Sequence, residues 1–231
     1  MIEIPSFNEL IEKSIVNNWD KDALTDFKGA TLQYHDVARK IEKLHIMFES
    51  SGVQRGDKIA LCGRNSSNWA VAFLATLTYG AVAVPILHEF TADQIHNIVN
   101  HSEAKLLFVG DYVATIIDQT KMPDLEGIIY IPDYSLVVSR TDKLTYAREH
   151  LNAMFGEKYP KFFRKEHVHY YREQSPEELA LINYTSGTTG FSKGVMIPYR
   201  AMWSNYDFAM TAVAKHIKKG DNVISILPMA H

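Results

Sequence analysis

A single cysteine, Cys62, stands in the 231 residues, so no disulfide can form within the chain. One thiol is compatible with a reducing compartment, and the expectation is a cytoplasmic protein. Positive charge is not in excess: 24 Lys and Arg face 27 Asp and Glu, for a net charge of −3. With no basic stripe, nucleic acid is not an expected partner. No apolar run approaches the roughly 20 residues needed to cross a bilayer. Peripheral contact with a membrane needs only a surface patch and stays open. The start, Met1-Ile2-Glu3-Ile4-Pro5-Ser6, has neither a basic leader nor an apolar stretch, so no signal peptide is expected. Repeats and low-complexity tracts are also lacking.

What is present has the balance of an ordinary globular chain, with 46% hydrophobic and 22% charged residues. The length fits one or two domains, enough to bury roughly 70% of the unfolded surface. From Gly52 onward the pattern alternates. Short apolar runs at Lys58–Cys62, Ala81–Leu87, Lys105–Val109 and Gly127–Ile131 read as strands. Between them lie helix signals: Asn65 or Ser66 as a cap before Trp69, Phe73 and Leu77; a Thr91–Gln94 capping box before Ile95, Ile98 and Val99; and Asp111 as a cap. Strands alternating with helices of this length predict βαβ units, an α/β fold and a mainly parallel sheet covered on both faces.

Ahead of this region, Ser6 and Glu9 read as a capping box for a helix carrying Leu10, Ile11 and Ile15. A hairpin is expected around Lys28-Gly29. A helix then follows with Val37, Ile41, Leu44 and Phe48 on one face, closed by Gly52. Further on, Asp142 to Phe155 reads as one amphipathic helix, and Ser175-Pro176-Glu177-Glu178 as a capped turn. Pro198 is expected to start a helix that includes Met202, Tyr206 and Met210. Val223 to Leu227 is expected to form a strand.

The chemistry concentrates at Tyr184-Thr185-Ser186-Gly187-Thr188-Thr189-Gly190-Phe191-Ser192-Lys193-Gly194, directly after the apolar run Leu179–Asn183. Glycines let the backbone approach a ligand closely. Successive N–H groups in such a turn form an anion-binding concavity. Thr185, Ser186, Thr188 and Thr189 add hydroxyl donors, and Lys193 adds a mobile point charge suited to phosphate. The spacing is not that of a Walker A loop: Lys193 follows Ser192 and precedes Gly194. A P-loop NTPase is therefore disfavoured.

This stretch closely resembles the phosphate-loop signature of the acyl-adenylate-forming (AMP-binding) ligases, with Ser192 where that family usually has proline. Three further passages are similar to the family: Arg55-Gly56-Asp57 before a strand, Gly80-Ala81-Val82-Ala83-Val84-Pro85, and the ending Leu227-Pro228-Met229-Ala230-His231. Asn65 with Trp69 looks most like the long-chain fatty acyl-CoA synthetase branch. The resemblance implies that residues 1–231 are the N-terminal part of an adenylation domain, with the C-terminal remainder of the family pattern absent. It implies ATP, a fatty or other carboxylic acid and coenzyme A as substrates, with Mg²⁺. Residues Thr185, Ser186, Gly187, Thr188, Thr189 and Gly190 would hold the ATP phosphates. Lys193 would assist catalysis by neutralising them, Thr188 would touch Mg²⁺, and His231 would lie near the acid. The chain alone is expected to be inactive. A stand-alone nucleotide-binding module or regulator is the alternative.

Other reactive side chains read as structural. His96 and His101 are five residues apart, off the spacing of helical zinc ligands, and neither they nor the His167–His169 pair are joined by a cysteine or carboxylate cluster. Cys62 sits in an apolar run and reads as packing. Ser186 lacks the G-x-S-x-G context of a hydrolase. Glu177 and Glu178 are adjacent and do not converge on one site.

Overall fold

The computed structural model describes residues 5–185, 193–212, 216–218 and 220–230. The chain opens with α1 (Phe7–Asn17), whose cap Ser6 accepts from the Glu9 amide at 3.2 Å. Glu9 does not reach back as a capping box would; it pairs with Lys13 at 2.8 Å. The other half of the cap comes from Glu173, which accepts from both Ser6 Oγ and the Phe7 amide. A tertiary carboxylate thus replaces the local one. The hairpin of β1 (Asp22–Thr25) and β2 (Thr31–Gln33) leads into α2 (Tyr34–Ser51), which ends on Gly52 at φ 90°. That left-handed conformation suits glycine, as the sequence predicts.

The alternating core follows: β3 (Lys58–Cys62), α3 (Ser67–Tyr79), β4 (Val82–Ile86), α4 (Ala92–Ser102), β5 (Ala104–Val109), α5 (Asp111–Ile116), β6 (Gly127–Tyr130) and β7 (Leu136–Ser139). Ser66 caps α3, and Thr91 with Gln94 forms the expected box on α4. Asp111 is not a cap. It is the first residue of α5 and accepts from the Tyr130 hydroxyl, while Gly110 occupies the cap position. Instead of one helix over 142–155 there are two, α6 (Asp142–Glu149) and α7 (Leu151–Lys158), parted at His150. The His150 ring stacks on Tyr146 with centroids 4.0 Å apart. The last elements are β8 (Leu179–Thr185), β9 (Lys193–Pro198) and α8 (Tyr199–Ala212). Pro198 closes β9 and does not open the helix, because it still faces Leu179 in the β8–β9 ladder.

Seven strands form one sheet in the order β7-β6-β5-β3-β4-β8-β9. The inner five are parallel, and the edge strands β7 and β9 run antiparallel. Alternation along β3 sends Ile59 and Leu61 into one core, with α2 and α3, and Ala60 and Cys62 into the other, with α4 and α5. Both faces are therefore covered, which is why the strands read as unbroken apolar runs. Cys62 lies in that packing, and burial pushes its thiol up to about 12.

The expected strand over 223–227 does not form. Among the described residues it has no ladder partner. Val223, Ile224, Ile226 and Leu227 are 75%, 82%, 83% and 74% exposed. An apolar run becomes a strand only when a neighbour satisfies its backbone, and among the described residues none does.

His45 on α2 carries a measurable pH dependence. Its Nε2 lies 3.0 Å from the Ala75 carbonyl and 3.1 Å from Thr78 Oγ1. Burial pushes the imidazole down to about 4, whereas an unfolded histidine titrates near 6.5. On acidification the unfolded chain takes the proton first. Stability is therefore lost between about pH 6.5 and 4, by up to about 3 kcal/mol. Urea denaturation across that range is expected to show the loss, and His45→Gln to flatten it.

Candidate functional site

All five parallel strands end on one side of the sheet, and the loops that follow them share that edge. In open α/β sheets ligands bind there, where the strand order reverses. The reversal occurs at β3: the chain moves to β4 on one side and returns to β5 on the other. Two features lie at this edge.

The first is the hydroxyl- and glycine-rich loop. Its stem is the antiparallel β8–β9 ladder, in which Tyr184 faces Gly194 and Thr185 faces Lys193. The register sets Lys193 across from the first threonine of the motif, both residues exposed. Ser186, Gly187, Thr188, Thr189 and Gly190 lie outside the described residues, as does His231. The structure therefore brings the two ends of the motif together, at Thr185 and Lys193.

The stem is held from beneath. Tyr184 is buried, its hydroxyl lies 2.7 Å from His101 Nδ1, and the two rings meet edge to face at 5.7 Å. Burial pushes the Tyr184 phenol up. Gly194 makes this packing possible. A Cβ there would stand 2.9 Å from Ile182 Cγ2 and 3.0 Å from the Tyr184 ring. Gly194 thus serves close approach of side chains, not an unusual backbone angle. Gly194→Ala is expected to cost about 1–3 kcal/mol by overpacking, read as a lowered urea midpoint with unchanged slope.

Entry into β8 is fixed as firmly. Glu178 accepts from the amides of Gln174 and Ser175 and from the Tyr171 hydroxyl, the last at 2.7 Å. Its neighbour Glu177 pairs at the surface with Arg200, 2.6 Å away. Neither carboxylate faces the loop stem as an acid–base pair, in keeping with the capped turn expected there.

The second feature is a crevice of about 180 Å³ at the ends of β3, β5 and β6, lined by Gly63, Arg64, Ser66, His88, Gly110 and Tyr112 among others. Two glycines let its walls cross. A Cβ on Gly63 would lie 3.2 Å from the Gly110 nitrogen, and one on Gly110 would lie 3.1 Å from Gly63 Cα. Sequence reasoning passed over this crevice. The available signal was a glycine immediately after each of two apolar strands, followed in one case by arginine.

Among the described residues no three His, Cys, Asp or Glu side chains cluster as metal ligands. His96 accepts from the Asp118 amide at 2.9 Å, and His101 is committed to Tyr184. The donors at the loop stem are hydroxyl and ammonium. They suit a polyphosphate, with any Mg²⁺ arriving on it and keeping most of its own water.

Comparison with known proteins decides the family. The family model described as AMP-binding enzyme matches residues 11–231. The chain belongs to the AMP-binding enzyme family. Among curated relatives, the peroxisomal long chain acyl-CoA synthetase 7 of Arabidopsis thaliana is 30% identical over 208 residues, covering 87% of this chain and 28% of the relative. The 4-chlorobenzoate–CoA ligase of an Arthrobacter species is 26% identical over 208 residues, covering 88% of this chain and 35% of its own length. Among solved structures, the long-chain-fatty-acid-CoA ligase FadD1 of Archaeoglobus fulgidus superposes with a TM-score of 0.74 at 19% identity. That match covers 99% of this chain and 43% of the other, and it supports the α/β fold. This AMP-binding chain thus spans well under half the length of the relatives it matches. No helix among the described residues is long and apolar enough to cross a membrane.

Proposed function

We propose that residues 1–231 are the N-terminal part of the adenylation domain of an ATP-dependent acid–CoA ligase, acting on long-chain fatty acids. The observation that carries this is the β8–β9 stem. It sets Lys193 opposite Thr185 at the mouth of a seven-residue loop, at the carboxyl edge of the parallel sheet. In the reaction, a carboxylate oxygen attacks the α-phosphorus of ATP, the bond to the β-phosphate bridging oxygen breaks, and pyrophosphate leaves. The thiol of coenzyme A then attacks the acyl carbon, AMP departs, and the thiol proton passes to solvent. Little covalent work falls to this chain. Its part is positioning and charge neutralisation.

In this reading Thr185, Ser186, Gly187, Thr188, Thr189 and Gly190 cradle the β- and γ-phosphates. Lys193 balances the charge of the departing pyrophosphate. Mg²⁺, bound to the nucleotide, supplies further neutralisation, with Thr188 as its ligand from this chain. His231 lies on the acid side. The fatty-acid assignment draws on the acyl-CoA synthetases among the relatives, and the chlorobenzoate ligase keeps aryl acids in the test. Full-length protein, given Mg·ATP, coenzyme A and a panel of aliphatic and aryl acids, should yield AMP, pyrophosphate and a thioester, fastest with long-chain acids. The 231-residue chain should yield none. Mg·ATP binding without turnover under any acid would point instead to a nucleotide-binding regulator.

A further inference from the structure

The run Lys158-Tyr159-Pro160-Lys161-Phe162-Phe163-Arg164-Lys165 carries four cations, three aromatics and no acid, in a chain whose net charge is −3. None of these residues belongs to the loop stem or to the crevice. The run leaves α7 at the β7 end of the sheet, where α6 packs on β7 and both α6 and α7 pack on α2. β9 and the loop stem lie at the opposite edge.

The run is held from within. Tyr159 donates to the Glu42 carboxylate at 2.9 Å, and Lys158 pairs with the same carboxylate at 2.8 Å. The Phe163 ring meets Tyr159 edge to face at 4.9 Å and lies 5.7 Å from Phe155 and 6.0 Å from Trp19. The Arg164 amide donates to His167 Nδ1 at 2.9 Å. With Tyr159 and Phe163 committed to these contacts, Phe162 is left outside, 70% exposed, and the Arg164 guanidinium lies 5.9 Å from its ring centroid. A backbone fixed in this way presents the ring without further ordering.

The charge around the ring is one-sided. Lys161, Arg164 and Lys165 pair with no acid among the described residues, and neither do Lys40, Lys43 and Arg148 on the adjoining α2 and α6. Lys43 lies over the Phe155 ring at 5.3 Å, which joins these cations to the run. Burial lowers the pKa of the Lys43 ammonium, and Arg39, Lys40 and Arg148 push it further down, as an uncancelled positive potential does. Glu157 and Glu166 flank the run and offset its charge only in part.

We infer that 158–165 is a docking tip for an anionic lipid bilayer, with Phe162 entering the boundary between headgroups and acyl chains and Lys161, Arg164 and Lys165 meeting the headgroups. Cations around an exposed aromatic suit that boundary, which offers negative charge and an apolar layer together. An acidic protein surface would meet the charges and leave the ring with no apolar layer to enter. Docking here leaves the loop stem, at the other edge of the sheet, uncovered.

The test mixes full-length protein with vesicles of phosphatidylcholine, alone or with about one-third phosphatidylserine, and reads the bound fraction by sedimentation. Wild type should bind the anionic vesicles at least ~10-fold more tightly than the neutral ones, and lose that preference in about 0.5 M salt. The triple variant Lys161→Gln, Arg164→Gln, Lys165→Gln and the single variant Phe162→Ser should each weaken binding at least ~5-fold. Their thermal midpoints should not move, since all four side chains are exposed. A control that replaces Lys58, Lys121 and Arg200, three cations outside the run, by glutamine changes the net charge equally and should bind like wild type. No preference for anionic vesicles in wild type, or an equal loss in the control, overturns the inference. So does full binding by Phe162→Ser, which would mark a purely electrostatic surface of the kind an acidic protein could use.

Discussion

Alanine in place of Lys193 is expected to slow acid-dependent adenylation by about 10²–10³-fold, the usual cost of removing one preorganised charge from a developing anion. The effect should fall on kcat, because charge on the bridging oxygen grows as pyrophosphate leaves and a ground-state contact alone would appear in KM. The fold should not suffer. Lys193 is exposed at the first position of β9, and the ladder there is backbone to backbone. Arginine keeps the charge but replaces a compact ammonium with a planar fork, so Lys193→Arg should recover only part of the loss. Steady-state kinetics with thermal melts separate these effects: kcat falls while the midpoint stays within a degree or two.

Trp69→Ala should have the largest effect on the fold, about 3–5 kcal/mol. Trp69 is 2% exposed, stacked on Phe73 with centroids 5.4 Å apart, and packed into the core beneath α2 and α3. Against a total of about 5–15 kcal/mol for an ordinary domain, that loss leaves a large unfolded fraction. The indole N–H is buried without a partner among the described residues. Removing it gives up no bond, so Trp69→Phe loses volume yet relieves an unsatisfied donor and should cost about 1.5 kcal/mol or less. Urea denaturation of both variants checks the order. A Trp69→Phe loss well above about 1.5 kcal/mol would mean that the indole N–H is satisfied in the folded protein.

Most of the sheet was legible because β3 to β6 are buried on both faces and α3 and α4 open on their own side-chain caps. Gly52 and Gly80, both in the left-handed region, end α2 and α3, the first where the sequence placed it. The misreadings have a common cause: a local signal was overruled by a distant partner. Glu9 lost its capping role to Glu173, more than 160 residues away. Of the two cap candidates before α3, Ser66 takes the cap, and Asn65 bonds Leu227 and Met229. Asp111 serves Tyr130. Side-chain amides and carboxylates have several uses within reach, and periodicity does not choose among them. The 223–227 run misled for the opposite reason, since its composition suits a strand but among the described residues no neighbouring strand is there. At the candidate site the motif was plain from residue types alone. What sequence could not supply was the register that faces Thr185 with Lys193, or the Tyr184–His101 contact that braces the stem.

The most direct measurement is transfer of label from pyrophosphate into ATP by the full-length protein, with and without a carboxylic acid. The account predicts exchange that appears only with acid, is strongest with long-chain fatty acids, and falls sharply in Lys193→Ala. Label transfer without acid, no transfer with any acid, or transfer unaffected by Lys193→Ala would contradict it.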